Sequence, residues 1–526
     1  MSRVLEIVLG FPLQHWPANA GVRGRAARDF GAELVRAWRI CPQVKMRRGA
    51  ERISIAPCRM PEAEPGAPGC WWTWIETTDQ GRYVLAARAR AFAPGVAIRE
   101  RFDERHAELP VAPPPTDSSD HAGAPAATLV SMRRRGRWQD EDGLVIELTL
   151  DDLTQPDADG ALRFCELRAA VADADDDTRR AAALRALFRA VRELSGAWPA
   201  FPLLTGALDR ACQGMALDAR AEPVKTSRVD LTGLRTQRAA LFALGGNVTA
   251  QWFANEAGAR DTGDPEYVHQ MRVALRRLRT LMRLFPHFAD GAWKHAFAGE
   301  LGWLGGLLGA VRDWDVCGAS TLPALAAADS DPDAWSATLA AAHAHGAAAR
   351  TELRQALGSA RYAGLALSWL EWLCGLGAPE ASAEEASPTR GADRALPSLK
   401  RHAAKRVSRL FGHLYGAPKL TALDAAARHQ VRIDAKRLRY ALEFFASLAS
   451  RRTRGETTRV LARVQSVLGD ANDAAVALRC LERLAAPAYQ LGFARGYGAA
   501  AQRHAAREAE GLLRELRTPK IGGRTA

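Results

Sequence analysis

The pattern of apolar and polar positions changes character once along the chain. Before residue 222, runs such as GLVIELTL from Gly143 and WWTWI from Trp71 predict strands, because β-branched and aromatic side chains fit a pleated, half-buried surface. One segment there differs: TRRAAALRALFRAVREL from Thr178 sets Ala183, Leu187, Ala190 and Leu194 at helical spacing. Residues 1–222 therefore read as a sheet-dominated α+β domain. After Thr226 helical spacing prevails, and residues 223–526 read as all-α. Three stretches rich in Pro, small or polar residues read as linkers: PVAPPPTDSSDHAGAPAA from Pro110, AEPVKTSR around Glu222 to Arg228, and EASAEEASPTRGADRALPS from Glu380.

The all-α half contains itself twice. VHQMRVALRRLRTLMRLF from Val268 matches RHQVRIDAKRLRYALEFF from Arg428 at an offset of 160, pairing His269 with His429, Arg272 with Arg432, Arg277 with Arg437, Arg279 with Arg439 and Phe285 with Phe445. LGGLLGAVRDWDV from Leu304 and VQSVLGDANDAAV from Val464 align at the same offset, with Leu308 on Leu468, Gly309 on Gly469 and Asp313 on Asp473. Two related helical bundles follow, over about 226–379 and 395–515.

Each matched helix has two distinct faces. Met271, Leu275, Leu278, Met282 and Phe285 form an apolar seam in the first copy, as do Val431, Ala435, Leu438, Leu442 and Phe445 in the second. On a neighbouring face His269, Arg272, Arg276, Arg279 and Arg283 make a basic ladder; His429, Arg432, Lys436 and Arg439 repeat it, with Glu443 in place of the last rung. A solvated face mixes both signs, since like charges at i,i+4 cost about 0.2 to 0.5 kcal/mol per pair. Two unneutralised ladders at matching positions predict a shared anion-binding surface. Asp313 and Asp315 in RDWDV read as turn or capping residues rather than metal ligands.

Charge strengthens this picture. Lys and Arg number 72 against 59 Asp and Glu, a net charge of +13, and only eight of the basic residues are Lys. Guanidinium forks match phosphate oxygens bidentately, so the balance favours phosphate-rich partners. Eight cysteines without a Cys-x-x-Cys pair fit neither a disulfide framework nor a zinc site, and are expected reduced and mostly buried. The apolar run LGWLGGLLGAV from Leu301 is about half of the roughly 20 residues needed to cross a bilayer. The N-terminal stretch has Glu6 inside its short apolar run, unlike a secretory leader. A cytoplasmic protein is expected.

The twice-occurring H-x-x-R-x-x-x-R/K-R-L-R helix, with its following LG-x-x-R/N-D element, resembles the CHAD domain, a conserved-histidine α-helical domain, over roughly residues 226–515. The resemblance implies a pseudo-two-fold pair of helical bundles around a basic channel, and similarity to modules that bind inorganic polyphosphate on polyphosphate granules. By position it places His269, Arg272, Arg276, Arg279, Arg283, His429, Arg432, Lys436 and Arg439 on the polyphosphate-binding surface. His402, Lys405 and Arg409, with His413 on the same helix face, are candidates to extend it, although a solvated helix face is the blander reading.

The N-terminal half is similar to a diverged CYTH domain, an antiparallel triphosphate-tunnel barrel, through VSMRRR from Val130, GLVIELTLDD from Gly143 and FCELRAAV from Phe164. That family implies inward carboxylates that hold a divalent metal opposite basic residues that clamp a triphosphate. Here Glu6 is followed by Val8 and Gly10, and Glu166 by Arg168 and Ala170, leaving Glu6, Glu147 and Glu166 as residual metal candidates. No catalytic residue, resident metal or cofactor is expected. Arg99, Arg101, Arg133, Arg134 and Arg135 are expected mostly at the surface, and Trp71, Trp72 and Trp74 in the sheet core. The leading expectation is a non-catalytic polyphosphate-binding protein at polyphosphate granules. A metal-dependent inorganic triphosphatase is the alternative. Nucleic-acid binding ranks third, because the ladders lack interleaved aromatics for stacking bases.

Overall fold

The computed structural model describes residues 2–11, 29–58, 71–104, 128–155, 162–173, 177–213, 215, 217, 222–377 and 396–522. The linker read from Pro110, and all but the last three residues of the one read from Glu380, lie outside the described residues. The chain folds as two compact units: Met1–Glu222 with Leu357–Arg390, and Pro223–Ala356 with Gly391–Ala526.

The first unit is a barrel. Its strands are β1 (Ser2–Phe11), β2 (Val44–Met46), β3 (Glu51–Cys58), β4 (Trp72–Thr78), β5 (Gly81–Ala93), β6 (Val96–Glu104), β7 (Leu129–Gln139), β8 (Val145–Gln155), β9 (Leu162–Ala172) and β10 (Phe201–Pro202). Eight of them run β1-β6-β5-β4-β3-β7-β8-β9, all antiparallel, and the sheet closes where β1 pairs with β9. Closure removes the exposed strand edges that an open sheet must protect. Alternation sorts the side chains. Leu5, Ile7, Leu148, Leu150, Leu167 and Ala169 are buried, and the helix α2 (Asp177–Ala197) packs on β1, β8 and β9. On α2 the expected Ala183, Leu187, Ala190 and Leu194 are all buried. The other face carries a buried set of charges, described below. Helix α1 (Phe30–Ala37) packs on β8, and the short helix α3 (Ala207–Cys212) sets Ala207, Leu208 and Ala211 against Ile53, Ile55, Trp74 and Leu129. The helix Ala360–Gly377, grouped from sequence with the first helical copy, packs in this unit against α2 and β5.

The second unit is all helical. Its long elements are α4 (Gln237–Ala254), α5 (Glu256–Asp261), α6 (Pro265–Leu284), α7 (Gly299–Val316), α8 (Ser336–Leu357), α9 (Leu399–Tyr415), α10 (Ala425–Phe444), α11 (Thr458–Arg483) and α12 (Ala488–Arg514). The duplication is visible in local structure. Asp264 caps α6 and Asp424 caps α10, each carboxylate accepting a backbone N–H at 2.8 Å, from Glu266 and Ala427 respectively. Each copy also enters its second long helix through a π-turn, Lys294–Ala298 before α7 and Thr453–Thr457 before α11. Every residue of both expected seams is buried. Burial of these apolar side chains is worth roughly 1.5 to 3 kcal/mol for each large one, which holds the bundles together.

Cys41, Cys165, Cys212, Cys317, Cys374 and Cys480 are buried and unbridged. Among the described residues no helix is long and apolar enough to cross a membrane.

Candidate functional site

The seam on α6 fixes its rotation, so the ladder must emerge beside it, and the same holds for α10. The helices pack together, and the two ladders meet. Their meeting point is Tyr440, a buried side chain whose ring lies 5.4 Å from the Arg276 guanidinium of the first copy and 5.5 Å from Arg439 of the second. Lys436 stands among Arg276, Arg432 and Arg272. Burial and those three cations push its ammonium down to about 7, against an opposing pull from Asp473. Burial likewise lowers Arg272, Arg279 and Arg432, with further repulsion between the copies acting on Arg432 from Arg276 and Arg272.

The guanidiniums of the first ladder lie across α7, and glycine makes that possible. A Cβ at Gly305 would sit 2.5 Å from Arg279 Nη2, and one at Gly309 would sit 2.8 Å from Arg272 Nη1. Arg279 Nη2 donates to the Leu301 carbonyl. The LGGLLG run is thus a cradle for two arginines. His269 is half-buried at the start of the ladder; burial and then Arg312 hold it below the usual histidine range. His429 is exposed; burial and then Arg432 lower it, with Asn472 acting the other way.

The cluster has internal counter-charges, contrary to the unneutralised ladder expected from sequence. Asp313 lies 3.7 Å from Arg272, and its equivalent Asp473 acts on Arg432 and Lys436. Glu443 ends the cluster, 3.4 Å from Arg439 and 2.9 Å from Arg277. Asp313 and Asp315 are therefore neither turn nor capping residues. Both lie within α7, and Asp315 pairs with Arg350 at 2.6 Å. Positive charge still exceeds negative. The Nε atoms of Arg276 and Arg432 are buried without a hydrogen-bond partner, a state that costs free energy unless an acceptor arrives.

Other expected site residues fall elsewhere. His402 is no anion ligand: it is buried, its ring stacks on Phe285 at 5.0 Å, and its Nε2 bonds the Leu284 carbonyl at 2.9 Å. Burial pushes that imidazole down to about 4, so it stays neutral. Lys405 is exposed. Arg283 and Arg409 line a separate cleft. Sequence reasoning missed Tyr440, Arg312, Gly305 and the acidic partners. The match of Asp313 to Asp473 was the available signal for the last of these.

The barrel interior is already charge-paired. Glu6 accepts from Arg99 at 2.9 Å, from Arg101 at 2.7 Å and from Arg168. Burial works to raise its carboxyl, but Arg168, Arg99 and Arg101 overcome that and hold it at about 2. From α3, Asp209 takes Arg99 at 2.6 Å and Arg168 at 3.5 Å. Across the lumen Arg133 bridges Asp151 at 2.6 Å and Glu76 at 2.8 Å. Glu166 accepts from the Ala207 N–H at the start of α3, where Gly206 leaves room: a Cβ there would sit 2.6 Å from Glu166 Oε2. Burial pushes Glu166 up to about 7.

Three expectations change here. Glu147 is on the same face of β8 as Asp151, but it is exposed near the start of the strand rather than part of the buried network. The barrel is not short of carboxylates, since Glu76, Asp151 and Asp209 join Glu6 and Glu166. Arg99, Arg133 and Arg134 are buried rather than at the surface, Arg101 is half-buried, and Arg135 is exposed. Trp74 is in the core as expected, while Trp71 and Trp72 are half-buried, under Arg88 at 5.1 Å and Arg99 at 5.4 Å. A divalent metal does not fit this lumen. Glu6, Glu76, Asp151 and Asp209 are held by arginines, and a cation would have to break those pairs and leave buried guanidiniums uncompensated. Among the described residues no group of three or more His, Cys, Asp or Glu is placed to hold a metal.

A helical unit of duplicated bundles with basic ladders converging on a shared axis defines a class, and comparison with known proteins agrees with it. The CHAD domain family model matches residues 243–482. The CHAD domain from the plant Ricinus communis is 32% identical, with a TM-score of 0.48, over 57% of this chain and 99% of that one. The chain belongs to the CHAD domain family. PptA from Streptomyces chartreusis is 20% identical over 53% of this chain and 98% of its own, with a TM-score of 0.38. HpAC1 from Hippeastrum, for which a dominant triphosphatase activity is described, is 12% identical over 41% of this chain and 98% of its own, with a TM-score of 0.24. No curated protein sequence matches. The closed eight-stranded antiparallel barrel of the first unit fits a CYTH-like domain.

Proposed function

We propose that this protein binds inorganic polyphosphate through the helical unit, without catalysis. The observation that carries the reading is the convergence of the two ladders, with Arg276 and Arg439 over the Tyr440 ring and Lys436 among Arg276, Arg432 and Arg272, its ammonium pushed to about 7 by burial and then by those cations. Such a cluster lacks one thing, a polyanion with closely spaced charges. Charge-assisted hydrogen bonds contribute about 1.5 to 3 kcal/mol each, so His269, Arg272, Arg276, Arg279, Arg432, Lys436 and Arg439 suffice for tight, salt-sensitive binding after ordering costs. His429 extends the same face at its exposed end.

The family resemblance supports the choice of polyphosphate, and association with polyphosphate granules would follow from it. The arginine-paired carboxylates of the barrel support a non-catalytic role for the first unit. The division proposed is a barrel domain over 1–222 and a duplicated helical region from 223, with the Leu357–Arg390 segment grouping with the barrel unit. The decisive test is titration of long-chain polyphosphate against wild type and an Arg272→Ala, Arg279→Ala, Arg432→Ala, Arg439→Ala variant. At least a tenfold loss is expected, and equal affinities would remove the reading. Phosphate release from tripolyphosphate with magnesium or manganese, abolished by Glu6→Gln, would favour the triphosphatase alternative. Preference for DNA in direct competition would favour a nucleic-acid role.

A further inference from the structure

The duplication is broken at one charge, and a cleft opens there. In the first copy Arg277 on α6 donates to Glu443 on α10 at 2.9 Å. Moving both residues by the repeat offset gives Arg437 on α10 and Arg283 on α6. The second ion pair is thus replaced by two arginines. They share a cleft of ≈ 180 Å³ between α6, α9 and α10, whose lining adds Arg406, Arg409 and His413 from α9. Among the described residues lining it Asp434 is the one acid, and it is 2.9 Å from Arg437.

We propose that this cleft is a second anion site, for a short phosphoanion of one or two phosphoryl groups, separate from the central cluster. Four guanidiniums and an imidazole surround a single carboxylate, so a compact, multiply charged tetrahedral anion fits better than a monovalent one. The Nε of Arg437 is buried with no hydrogen-bond partner, although Nη1 reaches Asp434. Burial and then Arg437 lower Arg283, and burial and then Arg409 lower Arg406, so these cations repel one another. An anion between Arg283 and Arg437 would do what Glu443 does for Arg277. A volume of ≈ 180 Å³ suits one or two phosphoryl groups. This site does not depend on the central cluster holding polyphosphate.

The test uses the full chain with the central cluster silenced by Arg276→Ala and Arg432→Ala, and pyrophosphate as the calorimetric probe. That background should bind one pyrophosphate. Adding Arg283→Glu, which rebuilds the Arg277–Glu443 pair on the other side, should weaken it at least tenfold and raise the melting temperature. Asp434→Asn should tighten it by removing the competing carboxylate, an effect no purely structural role produces. Absence of pyrophosphate binding in the silenced background, or binding unchanged by Arg283→Glu, would overturn the proposal. If wild type fails to hold long-chain polyphosphate while pyrophosphate still binds here, the central reading falls and this one stands.

Discussion

Phe285 and Phe445, equivalent residues of the two copies, pack against each other with ring centroids 6.0 Å apart. Contact between equivalent residues places them beside the axis that relates the copies. Both are fully buried, and His402 stacks on the outer side of Phe285. Phe285→Ala should therefore destabilise the helical unit by about 3 to 5 kcal/mol, read as a lower denaturation midpoint. A loss near zero would mean that the copies do not meet at this point.

Gly305→Ala and Gly309→Ala separate binding from folding. Alanine favours a helix by about 1 kcal/mol over glycine. Yet each new methyl would intrude on a guanidinium, that of Arg279 or Arg272. The double variant should melt no lower than wild type and bind polyphosphate several-fold more weakly. Unchanged binding would show that these arginines need no fixed cradle.

Lys436 makes binding pH-dependent. Its ammonium sits at about 7 in the free protein, and a bound polyanion favours the charged form, so binding draws in a proton near and above pH 7. Affinity should be greatest below pH 7 and fall as pH rises. Lys436→Arg should flatten that trend, because guanidinium stays charged. The folded value lies below the ordinary lysine value, so the unfolded chain holds more protons between about 7 and 10.5, and stability should rise with pH across that window. Lys436→Met should raise the melting temperature at pH 7.5 while weakening binding. Calorimetry in buffers of different ionisation enthalpy would detect the proton.

In the barrel Glu6 and Glu166 act with opposite sign. Glu6 is held at about 2, so its contribution is complete above the usual carboxylate value near 4.5 and is lost as pH falls toward 2. Glu166 is raised to about 7, so the folded state keeps a proton that the unfolded state releases, and stability falls as pH rises from 4.5 to 7. Glu6→Gln should cost about 3 to 5 kcal/mol, because Arg101 loses its carboxylate and Arg99 and Arg168 are left to share Asp209. Glu166→Gln should gain stability above pH 7. Urea midpoints between pH 4 and 8 test both.

Much of the fold was legible from sequence because burial is written in periodicity. The seams on α6 and α10, the helix at Thr178 and the strands from Trp71 and Gly143 all follow from local spacing. The ladders were legible as faces, since rotation of a helix is set by its seam. Their convergence was not, because the distance from Arg276 to Arg439 depends on how α6 crosses α10. His402 shows the limit. Its spacing matched Lys405 and Arg409, but the ring belongs to the core because Phe285 and the Leu284 carbonyl lie beside it.

Periodicity and the 160-residue offset alone determined a sheet-dominated half, a duplicated helical half and a cationic stripe on each copy. Tertiary structure decided which charges meet: barrel closure brought Glu6, Asp209 and Arg168 together from distant segments, and helix crossing gave Arg277 a carboxylate but Arg437 an arginine. A side chain's own spacing fixes its direction, whereas its partner is set by chain elements that local sequence does not encode.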